Sequence, residues 1–181
     1  MKNQNNTAEK KVVVASPYKS KAIFGAQGQR LIPMITQTES GSTGISSCMV
    51  YMPPGRFARA HLHAENDIIV TVLEGYAASL IGPEFEPVFH GPGESIFIPE
   101  GVMHVAVNLS TKNRLIALEV RTDPTFNDDV VPLPEYEEKA AEAVTLLQKQ
   151  YAEGTLNVPD HWDINNTDPF RFADVDEASL S

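Results

Sequence analysis

His61 and His63 stand two residues apart in the run G-R-F-A-R-A-H-L-H-A-E-N-D-I-I-V-T-V-L-E-G, residues 55–75. In an extended strand that spacing turns both imidazoles to one face. Two imidazoles converging on a point suit a divalent metal ion better than almost any other purpose. A third histidine, His104, lies in a second ordered run, G-E-S-I-F-I-P-E-G-V-M-H-V-A-V-N, residues 93–108. Arg59 precedes His61 by two residues, so alternation turns it to the same inner face. A buried guanidinium needs a partner. Arg59 is therefore either paired with a core carboxylate or held for a substrate anion.

The elements that must position these groups are short strands. Residues 30–36, 45–52, 57–63, 68–73, 76–81, 87–90, 95–98, 102–109 and 114–121 carry β-type apolar patterns. Turn signals separate them: Glu74-Gly75, Gly82-Pro83, Gly91-Pro92-Gly93, Pro99-Glu100-Gly101 and residues 110–113. Many short strands at this spacing predict an all-β sandwich or barrel, whose interior can hold one ligand or metal. Residues 1–10 are polar, and residues 11–15 (K-V-V-V-A) read as an arm or edge strand. From Asp123 an acidic, proline-punctuated linker leads to a helix beginning near Glu135. Its apolar stripe is Tyr136, Ala140, Ala143, Leu147 and Tyr151, and Gly154 is placed to end it. That stripe predicts packing on the outside of the barrel or on a partner subunit. Residues 155–181 read as a polar, acidic, loosely attached tail. The organisation expected is an N-terminal arm with first strands (1–44), a barrel core carrying the site (45–122), and a linker, helix and tail (123–181).

Composition narrows the function. A chain of 181 residues with a formal net charge of −10 argues against a nucleic-acid or membrane surface. The single cysteine, Cys48, excludes an intramolecular disulfide framework and reads as a small core residue. The opening residues lack the apolar core of a signal peptide and no run is long enough to span a bilayer, so the expectation is a cytoplasmic protein.

The two histidine runs resemble the motifs of the cupin superfamily. Gly55, His61, His63 and Gly75 fit its first motif, G-x5-H-x-H-x3or4-E-x6-G, and Gly93, Pro99, Gly101, His104 and Asn108 match its second, G-x5-P-x-G-x2-H-x3-N. The resemblance covers roughly residues 49–120. It implies a single jelly-roll barrel with one divalent metal ion, Fe(II) favoured with Mn, Ni or Zn as alternatives, held by His61, His63 and His104. The family's glutamate has no direct match. The position counted back from Gly75 is Ile68, and the shorter spacing after His63 gives Asp67. Either Asp67 supplies the carboxylate, with a bulge before Gly75, or the site is three histidines with Ile68 lining the pocket. Glu65 is also within reach by sequence. Asn108 and Pro99 read as architectural, His90 as an exposed turn residue, His161 as a surface residue, and Glu119 and Arg121 as a pair on one strand face.

Three functions follow from such a site. One is an iron-dependent dioxygenase acting on a small anionic chelating substrate, with Arg59 binding a second anionic group. Another is a redox-neutral isomerase, lyase or decarboxylase, with Tyr51, Tyr76 or Glu119 as candidate bases. The third is a non-catalytic small-molecule-binding cupin. The family's habit and an exposed arm predict a homodimer.

Overall fold

A computed structural model describes residues 11–162. The chain runs through β1 (Ile23–Phe24), β2 (Arg30–Ile35), α1 (Gln37–Ser40), β3 (Ser46–Met52), β4 (His61–His63), β5 (Ile68–Glu74) and β6 (Ala77–Ile81). It continues through β7 (Glu86–His90), β8 (Ser95–Ile98), β9 (His104–Asn108), β10 (Leu115–Arg121), β11 (Val130–Pro132) and α2 (Glu137–Glu153). Two antiparallel sheets face each other, in the orders β1-β2-β3-β10-β5-β8 and β11-β4-β9-β6-β7. This is the all-β jelly roll that the strand pattern and the two motifs predict.

The strands read according to what covers them. β3 and β10 alternate strictly, every second residue buried from Ser46 to Met52 and from Leu115 to Arg121. That pattern belongs to a sheet with one face on the core. β6 and β9 are buried on both faces almost throughout. Their inner residues line the barrel interior, while Leu80, Val105 and Val107 pack outward on Ala140, Val144 and Leu147 of α2. Burying Val144 and Leu147 is worth roughly 1.5–3 kcal/mol each. The exposed Lys139–Glu84 pair beside them adds little, so apolar burial holds the helix to the barrel. Gly154, at φ 67°, ends α2 by donating to Gln150 and Tyr151.

Four sequence expectations change here. Residues 11–15 form no strand, because their only backbone tie is Lys11 N–H to Ser40, and Val12 and Val14 stay exposed. The expected strand over 57–63 shrinks to His61–His63, with one isolated bridge at Phe57. The acidic linker contains β11, which pairs with β4. Finally, the start of the tail is docked. Trp162 is buried against Tyr76 and Phe89, and its Nε1 donates to Glu94 at 2.8 Å. The rest of that tail, and residues 1–10, lie outside the described residues.

Candidate metal centre

β4 carries His61 and His63 on its inner face, and β9 opens with His104 directly across the ladder from His61. The turn before β9 is clasped to β4 by Gly101 N–H donating to His63 O at 2.7 Å, and Gly101 sits at φ 73°, where a side chain is disfavoured. All three imidazoles are buried, at 2–3% exposure. Their centroids lie 4.2 Å (61–104), 5.4 Å (61–63) and 5.6 Å (63–104) apart. One nitrogen from each falls within 4.8 Å of the others.

The tautomers follow from the partners. His61 Nδ1 faces Arg59 O at 2.8 Å and His104 Nδ1 faces Val102 O at 3.0 Å. A carbonyl oxygen only accepts, so both Nδ1 atoms donate. His63 Nδ1 faces Asp129 Oδ1 at 3.1 Å, and the other Asp129 oxygen accepts from Asn66 Nδ2 at 3.0 Å. Burial alone would raise the Asp129 pKa, but these hydrogen bonds outweigh it and keep the carboxylate ionised. Every Nδ1 thus carries its proton, and three Nε2 lone pairs remain for a shared ion. A carboxylate or carbonyl behind each ligating imidazole is the arrangement that fixes ring orientation at metal sites. The donor set therefore fits a borderline divalent metal ion.

Burial reinforces this. It depresses the His104 pKa to about 4, and pushes His61 well below its ordinary value with help from neighbouring His104. Both rings are neutral at pH 7, the form that binds metal.

The chamber around the imidazoles is small and mostly apolar, with Ile68, Val70, Val72 and Ile98 among its walls. Its free volume is about 30 Å³, room for one or two waters. Two further ionisable groups face it. Glu119, on β10, is buried and pairs with buried Arg121, the pairing its alternation predicts. His90, on β7, shares a 3.1 Å hydrogen bond between its Nε2 and Ser79 Oγ, while its Nδ1 has no partner. His90 is not the exposed turn residue its neighbours Gly91-Pro92 suggest. It is the last residue of β7, turned inward opposite Ala77, and burial lowers its pKa to about 4.

Asp67 does not join the imidazoles. Its Oδ1 accepts from Glu100 N–H at 3.0 Å and its own N–H donates to Thr122 Oγ1 at 3.0 Å, so it ties two loops together. Asp is too short to do this and also reach the chamber. Ile68 lines the chamber instead, and Glu65 is exposed outside it. Arg59 also departs from expectation. Ala58, Ala60 and His61 are all buried, so alternation slips at the bend at Ala60 and Arg59 turns outward. It is exposed, lines an outer cleft and pairs with no core carboxylate. Tyr51 lines that cleft too, whereas Tyr76 packs on Tyr151 and Trp162. Sequence reasoning missed Asp129, which arrives on a loop 66 residues after its histidine. Asn108 behaves as read: its amide donates to the carbonyls of Met52, Pro53 and Asn113 and secures the turns at the barrel end.

The molecule is thus a jelly roll with a buried three-histidine cluster on two adjacent strands that could hold one metal ion. Residues 48–121 match the family model described as the cupin domain. Among solved structures it resembles KdgF from a Halomonas species, at 17% identity over 65% of this chain and 98% of that one, with a TM-score of 0.53. The DMSP lyase DddQ from Ruegeria pomeroyi aligns at 22% identity over 66% of this chain and 62% of that chain, with a TM-score of 0.52. Oxalate decarboxylase from Lactobacillus farciminis aligns at 17% identity over 78% of this chain and 40% of that chain, with a TM-score of 0.55. These likenesses establish the fold. No curated protein matches the sequence significantly.

Proposed function

We propose that the protein is a mononuclear metal-dependent cupin enzyme, and that its reaction is an iron-dependent dioxygenation of a small anionic, chelating substrate. The observation that carries this reading is the set of three buried imidazoles whose Nδ1 protons are all engaged, leaving three neutral Nε2 donors. Iron held there would supply a centre at which an enolate, phenolate or carboxylate and O₂ are brought together. The protein's own residues do the rest. His61, His63 and His104 hold the ion, and Asp129 orients His63. Glu119 is neutralised by Arg121, so three neutral donors leave the positive charge of the ion to attract an anion. Ile68, Val72 and Ile98 keep bulk water out.

A redox-neutral lyase, isomerase or decarboxylase is the second reading. It is favoured by one observation: His90, with its unpartnered Nδ1, and Glu119 give the chamber groups able to hold or move a proton. Metal analysis of protein purified under nitrogen tests both. About one iron per chain and substrate-dependent oxygen uptake support the dioxygenase. Zinc, nickel or manganese with turnover independent of oxygen supports the second reading. A chain that takes up no metal on reconstitution sinks both, leaving a binding protein.

The assembly we propose is a homodimer, which would cover the exposed Val12, Val14 and Phe24 of the N-terminal arm; sedimentation at the mass of one chain would refute it. The unpaired Cys48 thiol suits the reducing cytoplasm, our proposed compartment. None of the described helices is long and apolar enough to cross a membrane.

A further inference from the structure

Beside the chamber lies an open cleft of about 550 Å³ whose lining includes Arg30, Arg56 and Arg59. The chain has six arginines and a formal charge of −10, and half of its guanidiniums line this one cleft. Arg114 is paired with Glu74 and Arg121 with Glu119. Arg30, Arg56 and Arg59 have no carboxylate partner among the described residues. Arg30 lies 5.7 Å over the Tyr51 ring, which fixes its direction. Glu137, at the start of α2, is the only carboxylate among the lining residues.

The cleft wall is built rather than incidental. Arg59 N–H donates to Gln27 O at 2.8 Å, and Arg59 O accepts from His61 Nδ1 at 2.8 Å. The root of Arg59 is thus pinned on both sides while its side chain stays free. Gln27 is fully buried in the same wall, its Nε2 held by Asn127 and its Oε1 without any partner. A buried amide oxygen left unmet is costly unless a ligand or water donates to it. Gln29 and Met52 line both the cleft and the histidine chamber, so the two spaces share a wall. Size separates their roles. The chamber has a free volume of about 30 Å³ and the cleft about 550 Å³, so the body of an acid several carbons long is accommodated in the cleft, with only a chelating end left to reach the chamber.

We infer that this cleft is an anion-binding subsite for an organic acid bearing two or more carboxylates, gripped by the guanidiniums of Arg30, Arg56 and Arg59. Guanidinium forks match carboxylates in two parallel hydrogen bonds, and three forks lining one cleft suit a ligand with more than one such group. The subsite's role as antechamber to the metal centre rests on the function proposed above, but its affinity for the anion does not.

The test is calorimetric titration of metal-free protein with tricarballylate in 0.15 M salt, with inorganic phosphate and neutral succinamide as parallel probes. One saturable tricarballylate site per chain is expected, with phosphate weaker by roughly tenfold or more and succinamide not bound. The Arg56→Gln/Arg59→Gln double variant should weaken tricarballylate by roughly tenfold or more while melting as the parent does, since both residues are exposed. His104→Ala should leave the affinity within about twofold. Absence of saturation, equal affinity in the double variant, or phosphate binding as tightly would overturn the subsite. So would loss of the anion in a folded His104→Ala protein, which would put it on the imidazoles. A chain that binds tricarballylate yet takes up no metal would keep the subsite and defeat the proposed enzyme.

Discussion

The chamber and the cleft are two polar regions that share a wall and are built by opposite means. In the chamber the ionisable groups sit on strands, and nearly every polar atom is tied: three Nδ1 protons to fixed acceptors, Glu119 to Arg121, His90 Nε2 to Ser79. In the cleft the cations stand mainly on loops, exposed and unpaired. The first region is preorganised for a small ion and pays for this with buried neutral imidazoles. The second keeps charge in solvent, where it costs little to maintain and attracts an anion over distance. The proposed roles, a site that holds a metal rigidly and one that admits a flexible acid, call for these different constructions.

The sharpest way to break the contrast is to remove a ligand. His61→Ala or His104→Ala should take metal occupancy from about one per chain to none, measured by elemental analysis after dialysis. Full occupancy in both variants would mean that the strand-borne cluster is not the metal centre at all.

Acid should then distinguish the chamber from the cleft, because only the chamber holds imidazoles that resist protonation. His90 has a pKa of about 4 when folded, against an ordinary 6.5. Above 6.5 it is neutral in both states and contributes no pH dependence. As pH falls from 6.5 to 4 the unfolded chain takes up a proton that the folded chain refuses, so stability falls. Below 4 the loss is complete, about 3 kcal/mol from this residue alone. His104 acts in the same direction over the same window. Denaturant titrations of metal-free protein should show this slope, and His90→Gln should remove roughly its share. An unchanged slope would place His90 in water rather than in the chamber.

Asp129 is the next test, one layer behind the ion. Asp129→Ala should weaken metal binding by roughly 10–100-fold while leaving the barrel folded, read by competition with a chelator. A change smaller than threefold would mean that the ring of His63 is fixed by packing alone.

These groups also mark how far the sequence could be read. The clustering of the three histidines was legible because strand alternation and turn spacing are local, and His61, His63 and His104 fall within the regular parts of their runs, on adjacent strands. The apolar face of α2, apart from Val144, and the Glu119–Arg121 pair were legible for the same reason. Asp129 was not, since a linker of prolines and acids gives no period, and only the fold reveals that β11 returns to β4. Arg59 was misplaced because one bend at Ala60 resets the alternation, and a one-residue slip exchanges inside for outside. His90 was hidden by the turn residues that follow it. Gly75 shows the converse, a motif position explained by contact: a Cβ there would lie 2.7 Å from Arg114 O, and its φ of 87° favours glycine.

The smallest effect is expected at Asp67, and it decides how the motif's missing glutamate is to be understood. Asp67 occupies the shorter of the two spacings that the first motif allows, yet its carboxylate accepts from Glu100 N–H and its backbone donates to Thr122. Asp67→Ala removes one partly exposed hydrogen bond, a loss of roughly 0.5–1.5 kcal/mol in stability. Metal affinity should change by less than about twofold. Loss of metal in this variant, with the melting point lowered only slightly, would mean that the loop rearranges to bring Asp67 to the ion, making the centre three histidines and one carboxylate. Retained metal leaves Ile68 as an apolar wall where a fourth ligand would stand, with the ion's charge balanced only by what enters beside it.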